Sequence, residues 1–116
     1  MRGASALQAI LTDFSKSELA VFVVWEPVLL TDRFGPTSAV LARVHDARAR
    51  QYWDRERLVS SSIGRAAGYG PDDIVWDFVG VYPAGVRWEA EVPEAAFASA
   101  PVVDAVDELR AQLSAR

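Results

Sequence analysis

The sequence predicts an α/β fold: a mixed sheet flanked by helices, ending in an antiparallel hairpin and a C-terminal helix. Three observations carry this. Leu19–Trp25 is an unbroken apolar run, too short for a buried helix and rich in β-branched residues. Residues 73–89 read as a hairpin whose first arm, Ile74–Val81, is apolar on both faces: Ile74, Trp76 and Phe78 fall on one, Val75, Val79 and Val81 on the other. Segments of helical spacing separate the extended runs. A strand with one wet face alternates apolar and polar residues. These two runs do not, so both are expected inside a sheet covered on both sides.

In chain order, Leu7, Ile10, Leu11 and Phe14 form one apolar stripe and predict a helix over 5–14, with Ser5 as a candidate cap. The strand at 19–25 ends at Glu26-Pro27, because proline cannot donate to a ladder. Residues 28–35 read as a loop. Pro36-Thr37-Ser38 opens a helix to about Val44, with Val40, Leu41 and Val44 inward. Residues 45–48 are turn-like. Ala49–Trp53 reads as a short strand, and Asp54 as the cap of a helix through Leu58 and Ile63; one longer helix from Ala47 to Ile63 is the alternative. Gly68, Gly70 and Pro71 mark a loop. Tyr82-Pro83-Ala84-Gly85 suits a type I turn, and Val86–Val92 alternates as an outer strand with one wetter face. Pro101–Ala115 is a closing helix with Val102, Val103, Val106, Leu109 and Leu113 inward.

At 116 residues the chain is read as a single domain, 1–116. A 51% apolar content with four Trp excludes a disordered chain. A net charge of −4 disfavours nucleic acid, which asks for a basic face. With no cysteine there is no disulfide, thiolate nucleophile or cysteine-ligated zinc, and His45 is the only histidine, so no multi-histidine metal site forms within one chain. No cofactor is expected. No apolar run approaches the ~20 residues that span a bilayer, and no secretory h-region is seen, so the sequence as given is read as cytoplasmic, without a membrane partner.

Certain local sequences carry a resemblance. These are Val21-Phe22-Val23-Val24-Trp25 running into Glu26-Pro27-Val28, and Thr31-Asp32 before Gly35-Pro36. With them go Asp46 and Arg48 leading to Gln51-Tyr52-Trp53-Asp54, and Val75-Trp76-Asp77 leading to Tyr82-Pro83-Ala84-Gly85. Together with the element order they resemble the latter three-quarters of a thioredoxin-like (redoxin) domain of a small bacterial group. In that family a strand precedes the first helix and ends in a Cys-x-x-Cys pair, whose thiolate the helix dipole activates. Here strand and cysteines are both absent, so no redox residue carries over. Pro71 falls in the region of the family's cis-proline. The resemblance therefore implies a redox-inactive thioredoxin-like domain, a binding or assembly module. The alternative is a thiol-disulfide oxidoreductase whose active-site segment lies upstream of the chain's start.

Without the missing strand, the runs at 21–25 and 74–81 would each leave an apolar edge open. They could pair directly, a second copy could supply the edge as a homodimer, or the reading frame could begin upstream of Met1.

Four side chains are candidate ligand-binding groups. Glu26 and Asp32 follow a strand end, where α/β sheets place ligands, and two carboxylates there could share a proton or hold a cation; solvated loop acids are the plainer account. His45 could act as acid or base, though a lone histidine at a helix end more often caps the last carbonyls. Asp77 lies mid-strand among apolar neighbours, so it needs a partner, Arg87 being one candidate, or a wet gap. No residue is assigned as catalytic or metal-ligating. Trp25, Trp53, Trp76 and Trp88 are read as core, and Arg48, Arg50, Arg55 and Arg57 as a solvated face.

Overall fold

The structure is a computed structural model that describes residues 2–27, 34–70 and 72–115. It is mixed α/β, with a small parallel sheet, a small antiparallel sheet and a C-terminal helix. The chain divides into two compact units, Met1–Leu58 and Val59–Arg116.

In the first unit, α1 (Arg2–Asp13) is built on alanine and straight-chain residues, which lose little rotamer freedom in a helix. It starts before Ser5, so Ser5 is an interior residue and not a cap. Its stripe delivers Ile10 and Leu11, both fully buried and each stabilising by roughly 1.5–3 kcal/mol. β1 (Val21–Trp25) pairs in parallel with β2 (Ala49–Trp53), Val21 opposite Ala49 through Trp25 opposite Trp53. The strand reading of 49–53 is the one observed. Between them, α2 (Ser38–Leu41) is only one turn long. The Thr37 hydroxyl accepts from Val40 N at 3.3 Å, and the chain then tightens into three-residue turns that still bring Val44 to 2% exposure.

Among the described residues β1 is not covered on both sides. One face of the ribbon carries Val21, Val23, Trp25, Ala49, Gln51 and Trp53, all half-buried; the other carries Phe22, at 62% exposure, with Arg50 and Tyr52 exposed and Val24 half-buried.

α3 (Leu58–Ala67), almost wholly in the second unit, starts three residues later than a cap at Asp54 implies: Arg57 stands before it at φ +56°, and Asp54 Oδ1 accepts from Leu58 N at 3.1 Å. It ends in a Schellman motif: Gly68 has φ +83°, Gly68 N bonds Arg65 O, and Tyr69 N bonds Gly64 O at 2.8 Å. Val75 then packs at 7% exposure, and its N–H goes to the buried Ser60 hydroxyl at 2.8 Å instead of to a neighbouring strand. Asp77 has φ +52°, a left-handed conformation in which no strand continues. The expected arm at 74–81 therefore shrinks to β3 (Val79–Val81), and Trp76 stands 62% exposed.

Its antiparallel partner is β4 (Phe97–Ser99); the predicted second arm at 86–92 forms no ladder, and Trp88 is 42% exposed. The turn lies one residue later than expected. Val86 N bonds Pro83 O, with Gly85 at φ +83° in its third position. A 3₁₀ turn, Val102–Ala105, leads into α4 (Val106–Ser114), and Val102, Ala105 and Leu109 are buried with Val75 as this unit's core.

The expected single mixed sheet is thus replaced by two separate two-stranded sheets. β1 and β3 lie in different sheets, so the direct pairing of the two apolar runs does not occur. Among the described residues no helix is long and apolar enough to cross a membrane. Asp32 and Pro71 lie outside the described residues.

Candidate binding face

The first unit holds its ribbon in place with two polar networks, and these fix which face is left outward. Arg48, at the turn before β2, satisfies all five guanidinium donors. Nε and one Nη2 hydrogen go to the two Asp46 carboxylate oxygens, both at 2.8 Å. The others reach the carbonyls of Leu11 (2.8 Å), Phe14 (2.8 Å) and Ser17 (2.9 Å). α1 has no basic residue in its own last turn, so Arg48 supplies the cation its C-terminal carbonyls attract. The Arg48 bonds hold the Asp46 carboxyl at about 2, well below the usual range, and the Arg48 guanidinium is raised in turn. Arg48 is therefore a structural clamp and not part of a solvated basic face.

Gln51 is the second anchor. Its Oε1 accepts from Trp25 Nε1 at 2.8 Å, and its Nε2 donates to the carbonyls of Leu41 and Val44, both at 2.9 Å. This ties one face of the ribbon to the α2 region. The sequence offered a signal for it, a glutamine at an inward position of Ala49–Trp53, where a polar group must find partners.

Among the described residues the opposite face has no such cover. Phe22 and Tyr52 stack there, ring centroids 6.4 Å apart and planes 27° from parallel. A concavity of about 270 Å³ is lined by Phe34, Gly35 and Pro36, Leu41 from α2, and Gln51, Tyr52 and Trp53, so it draws mainly on the Gln51-bearing side of the ribbon and Phe22 takes no part in it. Gly35, at φ +80°, lets the backbone approach the Trp53 indole: a Cβ there would stand 3.3 Å from the ring. The volume falls below the ~300 Å³ at which small-molecule sites begin, and suits one inserted apolar side chain.

The predicted site residues take other parts. Glu26 is half-buried at the end of β1; without Asp32 in view, the proposed carboxylate pair has no geometry. His45 serves as a helix-end cap: its Nδ1 donates to Ala42 O at 3.2 Å, and its backbone N–H goes to Gln8 Oε1 at 2.9 Å. Asp77 does find a partner, but Arg87 is not it. Its Oδ1 accepts from Val102 N at 3.2 Å, capping the 3₁₀ turn that Pro101 leaves without a side-chain cap. Among the described residues no group of three or more His, Asp or Glu is gathered to hold a metal.

No family model matches this chain, and neither a curated protein nor a solved structure matches it.

Proposed function

We propose that this chain is a redox-inactive binding or assembly module of thioredoxin-like descent, whose contact surface is the outward face of the β1–β2 ribbon. The observation that carries this is the stacked Phe22–Tyr52 pair, exposed on a parallel ribbon. Parallel strands are ordinarily covered on both faces, and exposed aromatics are what protein interfaces use as anchors. The thioredoxin-like part rests on element order and local sequence. The redox-inactive part rests on a chain with no cysteine.

The reading is tested with an apolar reporter dye. Phe22→Ser with Tyr52→Ser should remove most dye binding while far-ultraviolet circular dichroism stays unchanged. Equal binding by the double variant overturns the assigned face. An insulin-reduction assay should give no turnover; measurable turnover would overturn the redox-inactive reading.

A further inference from the structure

Residues 86–92 have the alternation of a strand, Val86, Trp88, Ala90 and Val92 against Arg87, Glu89 and Glu91, yet they join no ladder. Residues 83–91 are all exposed, Val86 and Trp88 each at 42%. Among the described residues the side chains of Arg87, Trp88 and Glu89 make no hydrogen bond or ion pair, and the backbone of 87–92 makes none either. The chain's own hairpin is closed to them. The bond from Val86 N to Pro83 O sets the phase of such an arm, whose next bonded pair would join Trp88 to Val81, and the Val81 carbonyl is already taken by Ala96 N at 2.7 Å. In an extended chain successive residues turn their N–H and C=O to opposite edges. The edge opposite that of Val86 is therefore served by Arg87 and Glu89, and it is open. It is also its own complement. Laid antiparallel on a second copy about Trp88, Arg87 stands opposite Glu89 of the other chain, twice, and Val86 opposite Ala90, so charges pair on one face and apolar side chains on the other. A shift of one residue sets apolar against charged positions, and registers about Arg87 or Glu89 place like charges on the axis.

We propose that residues 86–90 of two copies of this chain pair in that register, an antiparallel strand-to-strand contact with Trp88 at the two-fold axis. Arg87 and Glu89 exchange their backbone bonds across it. Trp88 forms the non-hydrogen-bonded pair, where Cα atoms come to about 4.5 Å and side chains lie closest. The contact goes beyond the β1–β2 face and uses none of its residues. Residues 89–91 bend in the single chain, so pairing also straightens Glu89 and Ala90. A ladder this short, with that ordering to offset, makes a weak dimer, formed at high-micromolar to millimolar chain.

Sedimentation equilibrium over that range, with hydrogen exchange of the backbone amides, tests it. Wild type should self-associate reversibly. The Arg87 and Glu89 amides should exchange more slowly as chain concentration rises, while the Trp88 amide, on the other edge, does not. Arg87→Glu should weaken association by about tenfold, since two attractions become two repulsions. Adding Glu89→Arg to it should restore association, because the swapped charges again face their opposites. Phe22→Ser with Tyr52→Ser should leave association unchanged. A chain monomeric throughout overturns the proposal. So does association that ignores Arg87→Glu, a double swap that fails to recover, protection that does not reach Arg87 and Glu89, or a loss caused by the Phe22 and Tyr52 substitutions.

Discussion

Two stretches of nearly the same apolar character meet opposite fates. Val21–Trp25 becomes a five-residue strand in a regular parallel ladder, whereas Ile74–Val81 yields three strand residues at its far end. Both carry β-branched residues and a tryptophan. What separates them is where their polar groups find partners. Trp25 donates its indole N–H to Gln51 on the paired strand, and its carbonyl takes the Asp54 N–H, so side chain and backbone both point to β2. In the other run Val75 gives its N–H to the Ser60 hydroxyl, and Asp77 turns left-handed to cap Val102. An apolar run sets how much surface must be buried; the hydrogen-bond partners decide whether burial is achieved as a ladder.

The largest expected effect is in the first stretch. Trp25→Ala removes a half-buried indole and leaves Gln51 Oε1 without its donor, so urea unfolding should show a loss of about 2–3 kcal/mol. A loss under 1 kcal/mol would mean the ribbon is held by something other than its side-chain anchors.

Next comes Asp77. Asp77→Ala removes the cap on the 3₁₀ turn and places a Cβ-bearing, non-capping residue at φ +52°, which together should cost about 1–2 kcal/mol. Asp77→Asn keeps an acceptor oxygen and tolerates the left-handed backbone, so it should remain close to wild type. Equal losses in the two variants would show that the carboxylate's charge, and not its hydrogen bond, matters at that position.

How much of this was legible follows from the range of each signal. The helix stripe that delivers Ile10 and Leu11 and the strand at 49–53 are local, and periodicity suffices to place them; α3 starts three residues later than a cap at Asp54 implies, because a left-handed turn at Arg57 intervenes. The clamp formed by Arg48 on α1 spans more than thirty residues, and in sequence Arg48 is one of several arginines alternating with acids. Asp77 was identified as needing a partner on sound grounds, because a carboxylate among apolar residues is costly, but its partner 25 residues on is a backbone N–H and has no letter in the sequence. The same holds for the candidate face. Phe22 reads as core because apolar runs usually are, whereas among the described residues no element covers it.

Acid separates the two stretches further. The Asp46 carboxyl sits at about 2 in the folded chain and near 3.9 when unfolded, so its bonds to Arg48 stabilise fully above about pH 5. That contribution should fade as pH falls from 4 toward 2 and be absent below. It belongs to the ribbon's unit alone. Asp46→Asn should flatten this part of the pH–stability curve while leaving the Asp77→Ala loss unchanged. The effect is smaller than the two above because solvent reaches the pair and screens it. A variant whose curve keeps the wild-type slope between pH 4 and 2 would place the acid sensitivity elsewhere.

The smallest effect is the most telling, because the two arrangements of residues 74–81 differ most there. As a central strand, Trp76 would be interior, and Trp76→Ala would cost about 3–5 kcal/mol. In the structure Trp76 is 62% exposed on a stretch that makes no ladder, so the substitution should stay within about 0.5 kcal/mol of wild type. The contrast with Trp25→Ala, measured under one set of conditions, then exceeds 1 kcal/mol. Iodide quenching reads the same difference without a mutation: Trp76 should contribute an accessible fraction that Trp76→Phe removes, while Trp25→Phe leaves that fraction in place. A large loss in Trp76→Ala, with no change in quenching for Trp76→Phe, would return this run to the interior of a sheet and erase the distinction between the two stretches.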